Sequence, residues 1–112
     1  MRLESKKLLY DVLQAADLLA EFTEGASLDD HLGSALLRSA VERQFEIIGE
    51  AIGQLSKIDL VAARRIDGYQ RIIAFRNWLI HGYAVIDDRT VWDLLQARLP
   101  QLREVKALLD DG

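Results

Sequence analysis

Arg76, Asn77, His81 and Tyr83 sit close together in "AFRNWLIHGY", Ala74 to Tyr83, a stretch otherwise apolar enough to serve as core. Histidine exchanges protons near neutral pH and arginine keeps its charge, so the chemistry on offer is proton transfer beside a fixed cation. The spacing complicates this. Arg76 and His81 lie five positions apart, which on a regular helix turns their side chains about 140° from one another. They could serve one site only where the helix unwinds, and Gly82 offers a left-handed stop directly after His81. Tyr83 would align with Arg76 only if the helix continued. Each residue also has a plain structural reading: Arg76 as a surface arginine, Asn77 and Tyr83 closing hydrogen bonds around a loop, and His81 capping the last turn. Random placement alone produces, on average, roughly half an Arg–His pair at such spacing per chain of this composition.

The elements that must hold these residues read as helices throughout. The chain has one proline, few strand-like alternations and long runs of good helix formers. A first helix is expected from about Leu3 to Phe22, with Leu9, Val12, Ala16 and Leu19 on one face and a stop near Gly25. Ser27 is a candidate N-cap for a long second helix reaching about Ser56, with Asp29 and Asp30 in its first turn. Its stripe, Leu37, Val41, Phe45, Ile48, Ile52 and Leu55, keeps a single face apolar. Gly49 and Gly53, one turn apart, each cost about 1 kcal/mol of helix stability relative to alanine, which tight packing against a neighbour would explain. The third helix is expected to start between Ala62 and Tyr69, with a break at Gly68, and to end on His81. A last helical region begins at Asp87 or Asp88 and carries Val91, Leu94, Leu95, Leu102, Val105 and Leu109, kinked or split at Pro100. The fold class that follows is all-α, an antiparallel bundle of four to five helices in one domain spanning residues 1–112.

Composition narrows the function classes. At 112 residues and 50% hydrophobic, the chain should bury roughly two thirds of its unfolded surface around one core. It has no cysteine, which excludes disulfides and thiolate metal sites. Without an apolar run near about 18 residues or a signal-like start, a cytoplasmic protein away from membranes is expected. The net charge of −4 argues against nucleic acid at first sight, but the segment from Lys57 to His81 carries five basic residues against two acidic ones. Positive charge therefore gathers around the decapeptide. Among other candidates, His31 reads as an exposed or capping residue. Glu50 could pair with Arg76 and orient it. Glu42 and Glu46, beside Arg38 and Arg43, read as a charged face. Trp78 and Trp92 read as core or interface. No metal site and no cofactor are expected.

The order of these pieces resembles a known family. "RNWLIHGY" is similar to the R-x4-H-x-Y signature of HEPN domains, with Arg76, Asn77, His81 and Tyr83 in register. "FEIIGEA", Phe45 to Ala51, and "VWDLLQARLPQL", Val91 to Leu102, resemble the flanking blocks of its HepT-like branch, so the likeness covers nearly the whole chain. Similar proteins often carry a Pro-Trp pair before the third helix, where this chain reads "AARRIDGYQ". The resemblance implies the toxin half of a toxin–antitoxin pair, a dimeric, metal-independent endoribonuclease that leaves 2′,3′-cyclic phosphate and 5′-hydroxyl ends. In that reading His81 and Arg76 of two copies form the catalytic site and Asn77 supports it, with Glu50, read from its position alone, as a further supporting residue. Tyr83 is the tyrosine that an MntA-like nucleotidyltransferase antitoxin modifies with AMP. An alternative from another class is a non-catalytic helical module that binds a nucleotidyltransferase or presents its substrate, and a third is a purely structural dimer.

Overall fold

The computed structural model describes residues 1–82 and 86–111. Its helices are α1 (Leu3–Thr23), α2 (Leu28–Gly33), α3 (Ala35–Ile58), α4 (Leu60–Arg64), α5 (Tyr69–His81), α6 (Asp88–Arg103) and α7 (Val105–Asp111), with no strand among the described residues. The all-α expectation holds. The stripes foreseen in the sequence form the core: Leu9, Val12, Ala16 and Leu19 of α1 and Val41, Phe45, Ile48, Ile52 and Leu55 of α3 are fully buried, and Leu37 packs at their margin. Each large side chain among them contributes about 1.5–3 kcal/mol of hydrophobic stabilisation.

α1 and α3 run antiparallel. Their pairing is fastened where the start of α1 meets the end of α3: Arg2 donates to the Ile58 carbonyl, and the buried Ser5 hydroxyl donates to Asp59 Oδ2 at 2.7 Å. Asp59 also accepts from the Ala62 N–H at 3.1 Å, capping α4. These two hydrogen bonds, Ser5 first, hold its carboxyl below the usual range. α5 also packs against α3, where Phe45 meets Phe75 edge-on at 5.3 Å and Phe75 meets Trp78 at 5.5 Å. Such aromatic pairs add about 0.5–1.5 kcal/mol each beyond area burial. This stack fixes the rotation of α5, and hence the direction in which Arg76 points.

Several expectations are corrected. The long second helix is divided at Ser34, which adopts extended backbone and accepts from the Leu37 N–H at 3.1 Å, so it caps α3 afresh. The short α2 begins at Ser27 as expected, in a reciprocal cap with Asp30. The break turns His31 inward. His31 is fully buried rather than exposed, its ring 5.2 Å from that of Trp92, and neither ring nitrogen makes a well-formed hydrogen bond, although the Asp88 backbone stands near enough to favour the charged ring. The third region begins with α4 at Leu60 and breaks at Gly68, whose φ of 72° makes it the left-handed N-cap of α5. α5 ends on His81 as expected, but Gly82 stops it with φ −44° and ψ 97°, outside the left-handed region. The last region divides, in keeping with the expected kink or split, at Glu104, one turn after Pro100, which lies inside α6 and lacks the N–H that would bond to the carbonyl of Gln96.

Burial of His31 has a measurable consequence. Desolvation lowers its pKa from 6.5, only partly opposed by Asp88, while Arg38 lowers it further. The unfolded chain therefore takes up a proton below pH 6.5 that the folded chain resists, so stability is full above that value and falls with acidification. His31→Leu, apolar and similar in volume, should hold or raise the thermal midpoint at neutral pH, because it removes a buried polar ring without a well-formed hydrogen bond, a deficit of up to about 1–3 kcal/mol. It should also flatten the loss of stability between neutral pH and about pH 5. Urea titrations of both chains across that range test this, and parallel pH profiles would contradict it.

Candidate functional site

Arg76 owes its position to a glycine. A Cβ built at Gly49 would lie 2.2 Å from Arg76 Cβ and 2.7 Å from its Cγ, with the Ile72 carbonyl at 3.4 Å. Only a hydrogen at residue 49 lets α5 settle this closely on α3, so the arginine stem crosses α3 over bare backbone. Gly53 is different. A Cβ there would meet nothing within 4 Å, so the close approach expected at both glycines occurs at one.

Beyond the crossing, the guanidinium is held at both ends. Arg76 Nη2 lies 2.7 Å from Glu50 Oε2, and Nη1 donates to Asn77 Oδ1 at 3.1 Å. Gln54 Nε2 donates to the other Glu50 oxygen at 2.9 Å. Arg76 Nε is buried without a partner, while the side chain as a whole remains 26% exposed. An ion pair this open contributes little stability, about 0–1 kcal/mol, so its effect is on orientation. The guanidinium stays accessible to an anion yet points in one direction.

His81, Asn77 and Glu50 are exposed, and α5 remains helical through His81. His81 therefore stands on the outward face with Asn77, one turn away, while Arg76 turns toward α3. The structure thus joins Arg76, Glu50 and Asn77 and leaves His81 of the same chain on another face. Tyr83 lies outside the described residues. Gln54 was not foreseen, although its spacing of four from Glu50 on a helix is the signal that would have found it.

Two grooves flank this arrangement. One, of about 330 Å³, lies among α1, α3 and α5 and is walled by Lys7, Asp11, Arg43, Glu46 and Ile80. The other, of about 260 Å³, lies between α3 and α5 and includes Gly53, Lys57, Ile73 and Asn77. Arg76 and Glu50 belong to both. Glu42 and Glu46 form no metal-holding group, and no such cluster of His, Asp and Glu occurs among the described residues. Burial, with Asp88 and Glu46 nearby, raises the Glu42 carboxyl above its usual range. Trp92 is buried and Trp78 packs against the core. No described helix is long and apolar enough to cross a membrane.

Comparison with known proteins adds a second line. The family model described as "Ribonuclease HepT-like" matches residues 12–108. A Thermococcus cleftensis protein described as "Probable ribonuclease HepT" is 30% identical, over 92% of this chain and 93% of its own. Proteins described as "Putative RNase" from Caldanaerobacter subterraneus subsp. tengcongensis and Methanocaldococcus jannaschii are 31% and 30% identical, covering 90% and 88% of this chain and 90% of each relative. No solved structure gives a significant match.

Proposed function

Because the chain belongs to the ribonuclease HepT-like family, we propose that it is a metal-independent endoribonuclease whose active site is completed by a second copy of itself. The observation that supports this best is the divergence of Arg76 and His81 on α5, one held against α3 and the other exposed at the helix end. Cleavage by attack of the 2′-hydroxyl requires a base for its proton, an acid for the departing 5′ oxygen and a cation on the phosphate. One chain offers one exposed histidine. A twofold contact that places two α5 ends together brings two imidazoles and two guanidinium groups to a shared cleft. One His81 then takes the 2′ proton as the O2′–P bond forms, the second copy's His81 gives a proton to O5′ as the P–O5′ bond breaks, and Arg76 holds the non-bridging oxygens. Glu50 and Asn77 fix the guanidinium. The products are a 2′,3′-cyclic phosphate and a free 5′-hydroxyl.

In the same reading the protein is the cytoplasmic toxin of a toxin–antitoxin pair, and its partner is an MntA-like nucleotidyltransferase that places AMP on Tyr83. A phosphate two residues from His81 repels and obstructs the phosphate of RNA, so silencing is electrostatic and steric together. The test is an RNA digestion in excess chelator followed by end-group analysis. Cyclic phosphate and 5′-hydroxyl ends are expected, with activity undiminished by the chelator. Prior incubation with the nucleotidyltransferase and ATP should silence the native chain and spare Tyr83→Phe. Cleavage that stops in chelator, or leaves 5′-phosphate ends, overturns the mechanism.

A further inference from the structure

We infer that the groove between α3 and α5 carries the RNA strand next to the cleaved phosphate, with Lys57 holding a flanking phosphate; this rests on the ribonuclease reading above. The groove runs from Arg76 and Asn77 past Gly53 and Ile73 to Lys57. Gly49 lies beneath Arg76, and Lys57 is eight residues further along α3, about 12 Å by helical rise. That span is on the scale of a dinucleotide.

Gly53 and the charges support the assignment. An interior helix glycine weakens its helix relative to alanine, and nothing within 4 Å of a Cβ at residue 53 demands one there. What its lack of a side chain achieves is space between the two cations. Glu50 is the acidic group of the groove, and both of its oxygens are engaged, one by Arg76 and one by Gln54. Asp59, close to Lys57 in sequence, accepts from Ser5 and the Ala62 N–H and does not line the groove. Lys57 is exposed and has no ion pair among the described residues. Lys57 is therefore the groove's uncompensated cation at one end, while at the other the Arg76 charge is balanced by Glu50 and its guanidinium still offers donors to a phosphate. No aromatic ring lines it, so it would grip the backbone rather than stack bases, giving binding that is sequence-tolerant and salt-dependent.

The experiment uses the His81→Ala chain, which should bind without cutting, and a fluorescently labelled single-stranded oligoribonucleotide of mixed sequence titrated at several salt concentrations. Lys57→Ala should raise Kd by about three- to tenfold and reduce the slope of log Kd against log salt by about 0.7, one phosphate contact. Lys57→Arg should restore both. Gly53→Leu should weaken binding at least as much, with unchanged circular dichroism and sedimentation. In the His81-containing chain these changes should raise KM more than they lower kcat. Binding that ignores both Lys57→Ala and Gly53→Leu overturns the assignment. So does a Gly53→Leu chain with altered subunit number, which gives the groove to a second copy instead. A native chain that binds through Lys57 but never cuts RNA removes the ribonuclease reading while the groove's affinity for RNA stands.

Discussion

His81→Ala is expected to reduce RNA cleavage by about a hundred- to ten-thousandfold, the usual contribution of a general acid or base, and to leave the thermal midpoint nearly unchanged. The two halves of that expectation come from one fact: His81 is exposed at the end of α5, so its removal takes away a proton carrier and almost no packing. If both imidazoles of a dimer act in each event, mixing His81→Ala subunits with native ones should depress activity faster than native subunits are diluted. A chain that still cuts RNA at the native rate after the substitution, with the same cyclic-phosphate ends, ends the proposal. Loss of cleavage alone is incomplete support. Binding of a nucleotidyltransferase by the inactive chain shows that the surface is intact, and cleavage by the native chain is what separates a nuclease from a docking module.

Arg76→Ala should cost about a hundred- to thousandfold in kcat, the scale seen when one charge-stabilising donor is removed from an active site. Arg76→Lys should recover only part, since a point charge replaces a two-pronged contact. The more informative variant leaves the guanidinium in the chain. Gly49→Ala introduces a methyl where the nearest carbon would be 2.2 Å away, and α5 or the arginine stem must give way. A stability loss of about 1–3 kcal/mol is expected from overpacking, together with a fall in kcat of about ten- to a hundredfold as the phosphate contact is misplaced. Equilibrium unfolding and single-turnover cleavage measure the two separately. Gly49→Ala with native kcat would show that the position of Arg76 is not set by this crossing.

Much of the scaffold was legible in the sequence because helix periodicity is local. Leu9, Val12, Ala16 and Leu19 recur at helical spacing and lie together in the core, as do Val41, Phe45, Ile48, Ile52 and Leu55. Ser27 with Asp30 and Asp87 before α6 act as the caps their residue types suggest. The division at Ser34 was harder to see, because a serine at a hydrogen-bonding cap and a serine tolerated inside a helix read alike until the chain is seen to turn.

By itself, then, the sequence determined the helical class, the apolar stripes of the two long helices and the placing of Arg76, Asn77 and His81 on one element, since these depend on residues within a few turns of one another. Tertiary structure alone decided what those side chains meet. That Gly49 rather than Gly53 receives α5, that Glu50 takes up the guanidinium, and that His31 is enclosed against Trp92 each depend on how one helix is rotated against another. That rotation is set by contacts distant in sequence, such as Phe45 with Phe75, which no periodicity within a single helix records.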